Sequence, residues 1–447
     1  MNDLSFSIEW SSPGSGDPVL RATTGQFKLQ MADTCLTRNE GIWSRTISDS
    51  VLVSAYPLAL WLASSWWRLS HETLPEAGVS PSLDWRMSHE LGAANHGYVW
   101  PRVIVASDGE GVKIWAEQNA RQDQSVRYLY GLDAPGVVTL SAFQNCAAGF
   151  IESVIGRLDA MGLPDSDLAQ LWSYVCQDRD DSAALQRRVL EAQMGYDPEQ
   201  CPAPTLDEVL WLQQATGPDA MRELAPLIGL HGAQRAKGVR LIQELNSEPG
   251  ISGRPELPAF TTPVSALPWK KAETAAKQLR AALDNANRPI DDLELYQLLG
   301  VSEKQVDRFT VADRQSVSVL KTSVPGSISL IPRKKHPVAR RFEYARFIAS
   351  LYEAAQSRSY WKVSTDLATA QQQFQRAFAA EFLCPVDALV DYLVGNFSES
   401  SREQAALHFD VSEKTVEALL LNHGYLENTV IEPKVPYQVR SVHSRDV

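Results

Sequence analysis

Along this chain the spacing of apolar residues changes several times, and each change predicts an element. Residues 4–10, LSFSIEW, alternate with a partial period of two, and QFKLQMA (26–32) repeats the pattern after the turn-forming SSPGSGDP. That reads as two β-strands joined by a connection. The most apolar stretch, Val51 to Trp67, contains Pro57 and three serines and is shorter than the ~20 residues of a membrane span, so it predicts a core helix. A hairpin is expected from Arg102–Ala106 and Gly111–Trp115, turned by Ser107 to Glu110. Between 141 and 245 apolar residues recur at three- and four-residue steps in successive segments. Several of these begin on Ser, Thr or Asp and end on Gly, as capped helices do, with no strict repeat period. From Asn246 to Leu267 four prolines and two glycines interrupt the pattern. After one further helix (KKAETAAKQLRAALDN), SVSVLKTS and SISLIP return to strand spacing.

The last third is organised by three helical stretches. Phe342, Ala345, Phe347 and Leu351 supply most of the stripe of the first, and Phe374, Phe378 and Phe382 that of the second, which ends at Pro385. The third breaks at Asp410, with Ala406 before it and Val411, Ser412, Thr415, Val416 and Leu420 after it, which is helix-turn-helix spacing. The expected architecture is α+β and mainly helical. It comprises an α+β module over 1–140, a helical domain over 141–245, a linker over 246–267, a further domain over 268–430 and a tail over 431–447.

Charge and cysteine content narrow the function classes. A net charge of −12 argues against a general polyanion binder, which needs clustered Lys and Arg. Five scattered cysteines with no C-x-x-C suggest reduced, mostly buried thiols. The first ten residues lack a basic region followed by an apolar one. A cytoplasmic protein without membrane contact is the expectation.

One stretch imitates a metal motif. SHELGAANH places His89 and His96 seven residues apart, about 10.5 Å along a helix, too far for both to reach one metal. Trp85, His89, His96, Tyr98 and Trp100 nevertheless concentrate aromatic rings with polar handles. They are a candidate N-terminal pocket, against the plainer reading that they cover a sheet.

In the C-terminal third, Arg341-Phe342, then FAAEFLCP, then a helix pair with VS..TV resembles the ImmA/IrrE family of zinc metallopeptidases over about Pro268 to Asn428. Members of that family carry RFxxxHELGH on the first helix. Laying the two Arg-Phe pairs together puts Arg346, Phe347 and Ser350 at the His, Glu and His positions, and FAAEFLCP puts Phe374 at the third ligand. Two imidazoles at i and i+4 hold a zinc while Glu activates its water, and none of those groups is present. The resemblance therefore implies a zincin-like fold without catalysis, with no metal and no other cofactor.

Two neighbouring features remain. The basic run Arg333, Lys334, Lys335, Arg340 and Arg341 is a candidate surface for an acidic partner, against the default of a solvated loop, and Arg346 joins it, against the plainer reading that it caps a helix or pairs with Glu343 or Glu381. The helix-turn-helix-like element offers Arg402, Ser412, Lys414 and Thr415, but Glu413 and Glu417 stand near the N-terminus of its second helix, where Arg, Lys, Asn or Gln belong in a DNA reader. LLGVSEKQV (298–306) echoes FDVSEKTV and reads as coincidence. The leading expectation is a non-catalytic regulator or adaptor that binds a protein partner. The resemblance adds the setting: an anti-phage, toxin–antitoxin or mobile-element circuit. The alternatives are a DNA-binding regulator acting through 402–423 and an enzyme sited in the N-terminal module.

Overall fold

The computed structural model describes residues 3–11, 16–75, 79–119, 124–229, 235–258, 267–311, 316–324, 326–353 and 359–426. The expected tail at 431–447 lies outside them. The chain forms two compact units, one built on Met1–Asp207, the other on Glu208–Ile228 and Ala233–Glu432. Helices and antiparallel sheets share both units, which gives a mixed α and β protein.

In the first unit, Leu4–Trp10 pairs with Thr24–Met31, which also pairs with Thr34–Cys35 and Val51–Ser54. Alternate residues of Thr24–Met31 are buried, as period two requires. The expected hairpin forms as Arg102–Ser107 with Gly111–Glu117, extended by Gly136–Thr139. Phe27 joins these layers, meeting Trp100 at 6.0 Å and Phe150 at 5.7 Å, both edge-on. Val51–Trp67 is not one helix. Val51–Ser54 is a strand, and the chain then turns into the helices Tyr56–Ser64 and Trp66–His71. β-branched Val51 and Val53 alternate inward, and Pro57 sits in the first helical turn, where its missing N–H costs nothing.

The helices expected as one domain over 141–245 divide between the units. Phe143, Phe150, Val154, Leu158 and Trp172 lie in the core of the N-terminal sheets, whereas the Pro218–Ile228 helix belongs to the second unit. Ser359 Oγ accepts from Asp219 N at 2.8 Å and Ala220 N at 3.2 Å, capping that helix. The stretch expected as linker contains a strand, Ile251–Gly253, paired with Ser327–Ile331.

In the second unit four strands order as Ile251–Gly253, Ser327–Ile331, Ser318–Val324 and Trp361–Ser364. The helices Pro337–Glu353 and Ala370–Leu383 follow the sequence expectation, as do Glu399–Phe409 and Glu413–Asn422. Asp410 takes the left-handed conformation between the last two (φ 49°), and Ser412 caps the second by accepting from Thr415 N at 3.2 Å. The echo at 298–306 is also structural. Asp292–Leu299 and Glu303–Arg308 are two short helices around Gly300 at φ 63°, where a Cβ would lie 1.8 Å from Arg254 O.

Candidate functional site

Arg346, Phe347, Ser350 and Phe374 lie on the facing helices Pro337–Glu353 and Ala370–Leu383, and all four are buried. Phe374 stacks on Phe378 at 6.4 Å, and Phe378 on Phe382 at 5.6 Å, a ladder at i, i+4 and i+8. Phe347 is fully buried in the same core. Ser350 Oγ donates to Arg346 O at 3.0 Å, one turn back on its own helix.

Arg346 differs from these three. Its side chain is 5% exposed and meets only neutral acceptors. Nη2 donates to Thr365 O at 2.9 Å, to Gln375 Oε1 at 3.2 Å and to Gln372 Oε1. Burial, with help from Arg376 and Arg333, pushes its pKa down to about 9. The glutamines are themselves anchored to the Trp361–Ser364 strand, since their Nε2 groups donate to Val363 O at 3.0 and 3.1 Å. Thr365 N also donates to Gln372 Oε1 at 2.8 Å, and Ser364 Oγ to Gln375 Oε1 at 2.7 Å. On the far side Thr369 Oγ1 donates to Glu223 Oε1 at 2.7 Å. Burial pushes the Glu223 carboxyl up to about 7 despite that bond and the nearby Arg222. The Glu223 Oε2 atom is buried with no hydrogen-bond partner in this structure. Arg346, Gln372 and Gln375 thus form a buried amide-and-guanidinium centre.

The basic run is mostly committed to internal partners. Arg333 holds Asp366 at 2.6 Å, while its backbone N–H meets Glu343 at 2.9 Å. Arg341, also buried, bonds Asp292, Ile290 O and Asp410, tying the Asp292–Leu299 helix to the turn before Glu413–Asn422. These two arginines are structural, which corrects their assignment to a partner surface, and the same holds for Arg346. Lys335 is exposed, Lys334 is partly so, and Arg340 donates to Lys334 O at 3.2 Å. Of the helix-turn-helix residues, Arg402 donates to Phe397 O at 3.0 Å and Lys414 is exposed.

The N-terminal cluster does not assemble into one pocket. Trp85 and His89 stack at 4.0 Å and are buried with Ile104, Ala106 and Trp115, whereas Trp100 belongs to the main core and donates to Asn95 O at 3.0 Å. His96 is exposed on a loop at φ 55°.

His89 does join a group that the sequence reading missed. Arg68, 1% exposed, binds Glu72 at 2.6 Å, Asp84 at 2.9 Å and Asp197 at 3.5 Å. Glu72 also meets His89 Nε2 at 3.0 Å, and His89 Nδ1 lies 2.7 Å from Val105 O. Burial opposes the Arg68 charge, but Glu72 and Asp84 outweigh it and hold the pKa above its ordinary range. The available signal was Arg68 and Glu72, four apart directly after the most apolar stretch of the chain.

Among the described residues no group of three or more His, Cys, Asp or Glu could hold a metal ion. All five cysteines are free, two buried and three partly exposed, fewer buried than expected. No helix among the described residues is long and apolar enough to cross a membrane. No family model, curated protein or solved structure matches the chain.

Proposed function

We propose that this chain is a non-catalytic regulator or adaptor whose second unit is an ImmA/IrrE-like domain kept for recognition of a protein partner. One observation carries the reading. The helix positions that resemble the family's metal ligands and general base hold Arg346, Phe347, Ser350 and Phe374. Their side chains are consumed by core packing and by bonds to Thr365, Gln372, Gln375 and the Arg346 carbonyl. None of these four side chains is a base or a free metal ligand able to polarise a peptide carbonyl. The setting that follows from the resemblance is an anti-phage, toxin–antitoxin or mobile-element circuit, and the localisation is cytoplasmic.

Partner contact then falls to groups outside the closed centre. The basic run contributes Lys334, Lys335 and Arg340, and an acidic partner segment suits them. DNA recognition is the weaker reading, because the Glu413–Asn422 helix opens with Glu413 and carries Glu417. The test is co-purification of the tagged chain with products of its neighbouring genes, run beside a Lys335→Glu/Arg340→Glu variant. Specific capture of one product, lost in the variant with an unchanged melting temperature, is expected. Equal capture by both proteins removes the basic run from the interface. Cleavage of the captured product would overturn the non-catalytic reading.

A further inference from the structure

The Arg68 group contains one side chain whose protonation its neighbours dictate. His89 is fully buried, and both of its ring nitrogens are engaged. Nδ1 lies 2.7 Å from Val105 O, and Nε2 lies 3.0 Å from Glu72 Oε2. A backbone carbonyl can only accept, so Nδ1 carries a proton. Burial pushes the Glu72 carboxyl up, but His89 and Arg68 outweigh it and hold the group below the ordinary carboxyl range. Glu72 is therefore a carboxylate, which also can only accept, and Nε2 carries a proton as well. An imidazole with both nitrogens protonated is a cation. The Trp85 ring lies nearly parallel to it, 4.0 Å away at 14°, and the face of an indole favours a cation over a neutral ring.

The charges around the ring agree. Glu72, Asp84 and Asp197 bring three carboxylates to the one guanidinium of Arg68. Three against one leaves an excess of two negative charges when His89 is neutral, and of one when it is protonated. Burial, with help from Asp84 and Glu72, pushes the Asp197 carboxyl up against the pull of Arg68, as that excess requires. The other charged groups on the elements packed here are matched elsewhere. Arg86 pairs with Glu90 at 2.7 Å, Arg102 with Glu117 at 2.7 Å, and Lys113 with Asp108 at 3.4 Å. His71 stacks on Trp67 at 6.3 Å, and the Leu91–Ala94 turn has no charged residue.

The same contacts fasten a helix at both ends. Asp84, in the first turn of Leu83–His89, reaches Arg68 at 2.9 Å, and His89, its last residue, reaches Glu72 and the Arg102–Ser107 strand. We propose that His89 is a proton-operated clasp, whose doubly protonated ring fastens the end of this helix and whose loss of one proton, as pH rises, loosens it. A neutral ring has one N–H and one bare nitrogen, so it donates to Val105 O or to Glu72 and not to both. The bare nitrogen then faces an oxygen, and an attraction becomes a repulsion. The fastened state binds the second proton, so the contribution of the clasp is present at low pH and lost as pH rises. The inference concerns the first unit and is independent of the reading of the second.

The test uses the full chain carrying nitrogen-15 only in its histidines. Long-range proton–nitrogen NMR follows the rings from about pH 5.5 to about pH 8.5, across the ordinary imidazole range, and His89→Gln assigns the His89 signals. Two protonated nitrogens with near-equal shifts are expected for His89 at the acid end, and one of them should lose its proton as pH rises. Backbone hydrogen exchange over residues 83–91, corrected for the intrinsic effect of pH, should quicken at least ten-fold across the range. In His89→Gln it should stay flat. A His89 ring with a bare nitrogen at the acid end overturns the proposal, as does corrected exchange that is constant in the parent or changes equally in the variant. Should the variant fail to fold, exchange in the parent decides alone, ten-fold quickening supporting the clasp and constancy overturning it.

Discussion

Two buried arginines, Arg68 in the first unit and Arg346 in the second, are treated in opposite ways. Arg68 is surrounded by Glu72, Asp84 and Asp197, with His89 completing the group. Arg346 has no carboxylate in hydrogen-bond contact, only a backbone carbonyl and two amide oxygens. The consequences diverge as electrostatics requires. Opposite charges hold the Arg68 pKa up, while unmatched burial pulls that of Arg346 down to about 9. The first arginine is locked as a charge and is a cross-link between elements. The second is a large polar filler that organises a loop and two glutamines.

That contrast is sharpest in what removal should cost. Arg68→Met leaves Glu72 buried with one partner fewer, and breaking a buried pair from one side costs roughly 3–5 kcal/mol. Urea unfolding followed by tryptophan fluorescence reads this directly, because Trp66, Trp67 and Trp85 are buried in the same unit. A loss under about 1 kcal/mol would mean that the network is not holding the helices.

The next effect depends on pH. Glu223 titrates at about 7 in the fold against an ordinary 4.5. A raised carboxyl binds more protons folded than unfolded, so its contribution is fully present below pH 4.5 and is lost as pH rises through 7. The loss is on the order of 3 kcal/mol. Glu223→Gln should therefore flatten the stability profile between pH 5 and 8 and make the variant more stable than the parent at pH 8. A profile as steep as the parent's would place the titration elsewhere, with Glu381, also raised to about 7 by burial, the next group to replace.

The smallest effect is expected at Arg346. In Arg346→Met, Gln372 Oε1 keeps its bond from Thr365 N, and Gln375 Oε1 keeps that from Ser364 Oγ. Since Thr365 O alone loses its donor and no counter-charge is left unpaired, the cost should be about 1–2 kcal/mol. A loss as large as that of Arg68→Met would erase the distinction between the two arginines.

What the sequence disclosed follows the range of each signal. Strands at 4–10 and 26–31, the hairpin at 102–117 and the long C-terminal helices were legible, because each is written in local periodicity. The strand Trp361–Ser364 escaped, since WKVS is four residues, buried throughout and without alternation. The unit boundary escaped because helical spacing shows which face is apolar and not which sheet it covers. Arg341 looked like surface charge for the same reason, its partners Asp292 and Asp410 being distant in sequence. Gln372 and Gln375 carried no signal at all, since their role exists only opposite Arg346.

The proposal that the second unit holds a closed centre without zinc chemistry is tested most directly by elemental analysis after purification without chelator, followed by zinc titration calorimetry. The account predicts far less than one zinc per chain and no saturable binding, with Arg346→Met unchanged. One zinc per chain, lost when Ser350 or Glu343 is replaced, would contradict it.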